Sequence, residues 1–423
     1  MSNWLSALRT DPLLAAFVLS LGLSISLSQS LLAVLVFLTF LRWLKPAHRQ
    51  ELVFPLAWPM GVFAAATLLS VLLSPDLRRS LFESKDLLLL LTFFVVVNRV
   101  QSVSHLSALL TGFFGIMSAM ALYGLLQVGV CRTELSVPGG VETLLRVRLA
   151  ECRALQLFRA RGPFSIYMTY GGVLLQSLVL LTARWAALPL RHGGLLTLGG
   201  LVQLAALGAA FTRNAWLGLG VGVLSLAALE RQLKILAIMV AAGGLLLLSP
   251  QILLRARSIV DPTDPTARER FYMWGSGFQM VVDHPLTGVG VGRVGAEYPR
   301  YRNPQARKPS TGHLHNSPLQ IAAERGVLGL GAWLWIWVEF FRRSFRVLRK
   351  LRRGQTPQRV LVASSVAAVA AFLAAGLFEY SFGDSEVVTV AYVVMALPFL
   401  VEGWMREPSG GAPPRALGSS HHL

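Results

Sequence analysis

Two histidines two residues apart, followed at once by an asparagine, stand in TGHLHNSPLQ (residues 311–320), at the mouth of a long apolar run. The chain has eight histidines, and two of these, His421 and His422, lie in the tail. Three chemistries suit His313 and His315. As metal ligands they would share one face of a strand, but a site needs a third donor. No Cys, Asp or Glu is close in sequence, Asp283 and His284 are the only candidates in the same segment, and no DxD pair occurs, so no metal is expected. As a general base, a neutral imidazole near pH 7 takes the proton of an attacking hydroxyl. His315 suits that role because Asn316 can cap a helix and Pro318 is tolerated in its first turn. The third reading is a helix-end histidine satisfied by backbone. His313 is read as support or substrate contact.

Arginines near apolar runs form the second candidate group. In LGAAFTRNAWLGLGVG (207–222), Arg213 stands between two hydrophobic runs with hardly any loop around it. A charge at membrane depth is costly and reads as functional, the alternative being a side chain that snorkels to the interface. In TARERFYMWGSGFQMVVDHPLTGVGVG (266–292), Arg270 opens an amphipathic stretch in which Phe271, Trp274, Phe278 and Val281 share a helical face. Tyr272 and Trp274 are candidate support or substrate contacts. Gly288, Gly290 and Gly292 make a GxGxG turn, but no strand precedes it and no helix clearly follows, so it is no nucleotide signature. In RARGPFSIYMTYGGV (159–173), Arg159 and Arg161 precede a span that opens with Gly162-Pro163, a plausible anion site at a helix start or an ordinary interface anchor.

The elements that must position these residues are membrane helices. Of 423 residues, 54% are apolar and 14% charged, and the mean hydropathy is +0.57. A soluble domain of this size needs more charge to cover its surface. Lipid is the alternative solvent, in which about 20 apolar residues cross a core of about 30 Å. We expect an all-α, polytopic integral membrane protein. Its spans lie near 12–28, 30–44, 53–73, 85–98, 106–128, 163–183, 194–212, 214–229, 233–250, 318–341, 360–380 and 386–404, twelve in all. The first two turn near Gln29-Ser30 and are too long together for a cleavable signal peptide.

The basic run RRSFRVLRKLRRGQTPQR (342–359) marks the cytoplasmic side, which puts both termini there. Helices one to nine then occupy 1–250 with a basic outer loop at 130–162. An ordered outer cap of short helices occupies 251–317, helices ten to twelve occupy 318–405, and a disordered cytoplasmic tail occupies 406–423. The net charge of +18 includes many arginines in the two outer segments, suited to lipid headgroups or to a phosphate-bearing substrate. Cys131 and Cys152, the chain's two cysteines, fall in one outer loop where a disulfide is plausible, the alternative being two free thiols. Carboxylates cluster at span ends, as Glu324, Glu379, Asp384 and Glu386, and the last three could contact the arginines or position substrate.

Taken together, these motifs resemble the O-antigen ligase/polymerase superfamily. His315-Asn316, nine residues, then Gly326-Val327-Leu328-Gly329 is similar to the H-[NSQ]-x9-G-x-x-[GTY] pattern of O-antigen ligases. RFYMWGSGFQMVVDHPLTGVG resembles the superfamily's arginine-to-HPLxGxG segment, and FTRNAWLGLG its short arginine-bearing span. The resemblance covers residues 160–335, and the N-terminal third agrees mainly in hydropathy. It implies a GT-C-type membrane glycosyltransferase facing the periplasm from the bacterial inner membrane. The donor would be a glycan on undecaprenyl diphosphate, and the ligase's acceptor lipid A–core. By the match, His315 falls on the family's essential histidine and Arg213 and Arg270 on its essential arginines, with Arg161 carried over beside them.

The implied chemistry agrees with the residues. A diphosphate leaving group needs charge stabilisation rather than protonation, which arginines supply without a metal or cofactor, and the acceptor hydroxyl needs a base. Direct attack on the anomeric carbon gives inversion. The other expected partners are membrane lipids, and no nucleic acid is expected. A polymerase, with the same chemistry on another acceptor, is the alternative. A solute or bicarbonate-type transporter is the second, and it should show carboxylates midway through the membrane, where this chain has none evident.

Overall fold

A computed structural model of the chain describes residues 10–46, 51–133, 158–187, 193–259, 261, 263–352 and 356–406. Among these residues the regular structure is entirely helical. The N-terminal half runs through α1 (Pro12–Ser20), α2 (Ile25–Leu44), α3 (Ala57–Leu72), α4 (Leu77–Glu83), a 3-10 segment (Ser84–Leu90), α5 (Leu91–Arg99) and α6 (Val103–Thr133). It continues with α7 (Tyr167–Ala186), α8 (Gly194–Ala209), α9 (Arg213–Glu230) and α10 (Leu233–Leu247). Three shorter or amphipathic helices follow, α11 (Pro250–Arg257), α12 (Pro265–Asp283) and α13 (Val294–Tyr301). The chain then returns through α14 (Ser317–Lys350), α15 (Pro357–Gly376) and α16 (Ser385–Trp404).

Five of these, α2, α6, α14, α15 and α16, are long and apolar enough to cross a membrane, and α3 and α8 are shorter apolar helices. Lipid as the outer solvent explains why α2 leaves Leu27, Phe37, Phe40 and Trp43 exposed. The interior is held by close helix packing rather than by bulk. Gly218 and Gly222, one turn apart on α9, face the alanine-rich α15: a Cβ at Gly218 would stand 2.7 Å from the Ala371 carbonyl oxygen, and one at Gly222 would stand 3.0 Å from Ala371 Cβ. Small residues at that spacing let two backbones approach in a setting where lipid removes the hydrophobic drive between helices.

Several boundaries differ from the sequence-based expectation. The first turn lies at 21–24, with Ser24 capping α2, so Gln29 and Ser30 are inside that helix. Residues 84–90 form a 3-10 turn rather than the start of a straight span. α14 continues through RRSFRVLRK to Lys350. A helix does follow the GxGxG turn, since α13 starts two residues after Gly292. Glu324 is not at a span end but buried eight residues into α14.

That position adjoins the central irregularity of the fold. Gly326 has φ 65° and ψ −168° inside α14, which breaks the helix there. The segment after α12 fills the break. Val327 N–H donates to the Pro285 carbonyl (2.8 Å), Val289 N–H to that of Ala323 (2.8 Å), and Gly290 N–H to that of Glu324 (3.2 Å). Buried backbone groups need such partners, and at membrane depth water does not supply them. A small second core of Met273, Met280, Val289, Val294, Tyr298, Leu314 and Ala323 ties α12 and α13 to this part of α14 and to the histidine segment.

Candidate functional site

The first turn of α14 gathers the histidine segment and the α15–α16 connection. Asn316 caps α14 by accepting from Leu319 N–H (2.8 Å), and its amide donates to the Leu377 carbonyl (2.9 Å). Ser317 Oγ donates to the Glu379 carbonyl (3.0 Å). The loop so held presents Glu379 to His315, whose Nδ1 lies 2.9 Å from each carboxylate oxygen. A carboxylate only accepts, so Nδ1 donates, which in the neutral imidazole leaves the lone pair on Nε2. His315 itself has φ +50°, a left-handed backbone uncommon outside glycine. Burial raises the Glu379 carboxyl, but the His315 hydrogen bond and the electrostatic influence of His315, His313 and Arg270 outweigh it and hold Glu379 below its usual range.

His313 stacks edge-on against His315 with ring centroids 4.2 Å apart, and its Nδ1 accepts the His315 N–H at 3.4 Å. Burial, helped by His315, Arg270 and Lys308 against Glu379, pushes it down to about 4, so it is neutral at physiological pH. His313, His315 and Glu379 bring one donor atom each to within 4.8 Å of one another and, among the described residues, are the group that could hold a metal ion. The third donor beside the two histidines is therefore Glu379, which is 64 residues from His315, rather than Asp283 or His284. A cation would share Glu379 with Arg270, whose Nη2 is 3.6 Å from Oε2.

Arg270 reaches Glu379 from α12, which is pinned to the histidine segment by Trp274, whose indole N–H donates to the Leu314 carbonyl (3.1 Å). Burial pushes the Arg270 guanidinium down while Glu379 opposes the shift. Arg213, the first residue of α9, donates to the Ser258 carbonyl (2.7 Å) and pairs with Asp264 (3.2 Å), the residue that caps α12. Arg159 lies over the Tyr167 ring at 4.5 Å. The backbone N–H groups of Arg161 and Gly162 donate to Gln127 Oε1 at 3.3 and 3.0 Å. Four arginines thus sit within electrostatic reach of one another, because Arg213 acts on both Arg270 and Arg255, and Arg159 on Arg255.

The structure does not bring every candidate to this centre. Tyr272 turns the other way, donating to Gln305 (3.0 Å) and receiving from Arg268 (3.4 Å). Cys131 is buried beside Tyr123, Val130 and Phe158, and Cys152, the other half of the expected pair, lies outside the described residues. Three residues not selected from sequence belong here: Glu379, Asp264 and Arg255. Glu379 had stood only among several outer carboxylates, and nothing local in LFEYSFGDSE distinguishes it from Asp384 or Glu386.

Beside the arginines, between α8, α9, α10 and α11, runs an apolar cleft of about 370 Å³ lined by Leu207, Trp216, Val223, Met239, Leu246 and Ile252 among others. Trp216 stands one turn after Arg213 and Ile252 one turn before Arg255, so the cationic cluster adjoins the end of this cleft.

The fold and this centre define a helical membrane protein with a histidine–carboxylate pair facing a group of arginines. Residues 198–334, from α8 into α14, match the Wzy_C family model, described as O-antigen ligase. No match is found among curated proteins. The matched segment contains Arg213, Arg270, His315 and Gly326 and ends before Glu379.

Proposed function

We propose that the protein is an O-antigen ligase, a GT-C-type transferase of about twelve spans in the bacterial inner membrane. It moves a glycan from undecaprenyl diphosphate to a sugar of lipid A–core at the periplasmic face, with both termini in the cytoplasm. The observation that carries this reading is the His315–Glu379 pair, with Nδ1 at 2.9 Å from both oxygens and Arg270 on the same carboxylate. His315 Nε2 takes the proton of the acceptor hydroxyl, whose oxygen bonds to the anomeric carbon from the face opposite the diphosphate. The bond from that carbon to the diphosphate oxygen breaks, and its electron pair leaves with the diphosphate. Arginine charge stabilises the leaving group, and the product is inverted. Glu379 does not touch substrate; it fixes the tautomer and steadies the imidazolium. The apolar cleft beside the arginines suits a polyprenyl tail.

The test is complementation of a strain lacking its ligase, with attachment of surface polysaccharide read on a gel. Restored attachment supports the reading, and its loss with His315→Ala at unchanged protein level supports the base. Restored chain length without attachment would make the protein a polymerase. In purified protein, a strict divalent-metal requirement would refute the metal-independent mechanism.

A further inference from the structure

The arginines of this site differ in their counter-charges. Arg213 has Asp264 at 3.2 Å and Arg270 has Glu379 at 3.6 Å. Arg255 has no carboxylate within ion-pair distance among the described residues. Its Nε donates to the Phe211 carbonyl at 3.4 Å, a long contact, and its Nη groups make no hydrogen bond to a described residue. Among the described residues, Arg159 is placed over the Tyr167 ring, at 4.5 Å from its guanidinium carbon, and pairs with no carboxylate. Both are half-buried. Burial and the neighbouring Arg213 and Arg159 push Arg255 down to about 10, so it remains a cation at neutral pH. Asp264 acts on Arg255 only from beyond ion-pair distance. Half-buried cations kept close to like charges with no carboxylate in contact are costly, and an incoming anion relieves that cost.

Placement says which anion. Arg255 lies in the last turn of α11, one turn beyond Ile252 in the wall of the apolar cleft. A ligand satisfying both features carries phosphate on a long apolar chain, and guanidinium forks bind phosphate oxygens two at a time. We propose that Arg255, together with Arg159, binds the phosphates of the polyprenyl-diphosphate donor. Arg270 is committed to the Glu379–His315 pair and Arg213 to joining α9 with the start of α12. The inference rests on the donor chemistry of the proposed function and assigns the residues that hold it.

The test uses full-length protein in detergent, with equilibrium binding of undecaprenyl diphosphate, inorganic pyrophosphate and phosphatidylglycerol. Arg255→Gln and Arg159→Gln should each weaken undecaprenyl diphosphate binding about ten-fold, the size of one charged hydrogen-bonding partner lost. Arg255→Lys should recover part of it, and exposed Arg257→Gln should bind as wild type. In turnover, KM for the donor should rise more than kcat falls, a split that loss of packing alone does not produce. Equal weakening toward phosphatidylglycerol would reveal a general lipid-headgroup site and overturn the assignment. So would wild-type affinity in both glutamine variants, which would leave the ligase reading intact. Wild-type protein that binds undecaprenyl diphosphate no better than phosphatidylglycerol would overturn both. Should Arg255→Gln fail to fold, Arg159→Gln, whose side chain holds no helix junction, decides alone.

Discussion

Glu379→Gln removes one charge at nearly constant shape and tests how much of the proposed catalysis depends on the carboxylate behind His315. The two side chains are only 10% and 16% exposed, and Nδ1 lies 2.9 Å from Oε1 and Oε2 alike. An ion pair at about 3 Å in an effective dielectric of about 20 is worth roughly 5 kcal/mol, an upper bound on what the imidazolium gains when it takes the acceptor's proton. The glutamine retains a hydrogen bond, so about half of this is expected to be lost, or ~2.7 kcal/mol and ~100-fold in kcat. If instead the amide N–H turns toward Nδ1, the proton moves to Nε2 and the base is lost, a loss of up to about 10⁴ by analogy with triad proteases. The predicted kcat therefore falls by about 10² to 10⁴, while KM for the donor changes little.

The assay is initial rate against donor concentration with purified protein at saturating acceptor, with thermal melting as a control for folding. Glu379→Asp should recover part of the rate, because the charge returns at a slightly longer reach. A Glu379→Gln enzyme that folds and turns over within about three-fold of wild type would refute the argument, since no partner worth more than about 0.7 kcal/mol could then have been removed.

Two further outcomes follow from the geometry. Gly326→Ala would place a Cβ 2.2 Å from the Leu286 carbonyl carbon and oxygen, in a backbone conformation only glycine adopts readily. Strain of about 1–3 kcal/mol before any clash should abolish folded protein or lower its melting temperature sharply, and an unchanged melt would mean the break is not rigid. His313 is held down at about 4 against an ordinary value of 6.5. Below 6.5 the unfolded chain therefore binds a proton that the folded protein does not, and stability falls as pH drops from 6.5 toward 4. Melting of His313→Gln should show a shallower slope across that window, and an identical slope would place the titration elsewhere.

Much of the membrane-embedded framework was legible because hydropathy alone locates it. The expected span at 386–404 lies one residue from the observed helix, and that at 360–380 begins three residues late. The first turn lies at LGLS (21–24), where Gly22 favours a turn and Ser24 a helix cap, signals at least as strong as the Gln29-Ser30 pair expected to turn. A serine inside a membrane helix needs no turn, since Ser28 Oγ satisfies itself on the Ile25 carbonyl at 2.9 Å. Around the site, residue type singled out His315, Arg213 and Arg270. What type could not give is pairing: Glu379 meets His315 across 64 residues, and Asp264 meets Arg213 across 51. Tyr272 lies away from the histidine centre for a similar reason. Being two residues from Arg270 on a helix places a side chain on a different face.

The spacing from His315-Asn316 to Gly326 and Gly329 has a mechanical cause in this fold. The Leu314 N–H, between the two histidines, donates to Gln320 Oε1 at 2.8 Å. The other end of that amide donates to Glu324 Oε1 at 2.8 Å, and the same oxygen receives the Gly292 N–H at 3.1 Å. Glu324 pairs in turn with Arg325 at 2.6 Å. Arg325 Cβ would lie 2.2 Å from a Cβ at position 329, so a glycine is needed there. The break at Gly326 admits the Pro285–Gly290 turn, the turn fixes Glu324, and Glu324 through Gln320 fixes the backbone between His313 and His315. On this argument the two glycines act on the histidine through the register of α14, at positions where they touch no substrate. A change at either should therefore loosen the His315–Glu379 geometry before it alters donor binding.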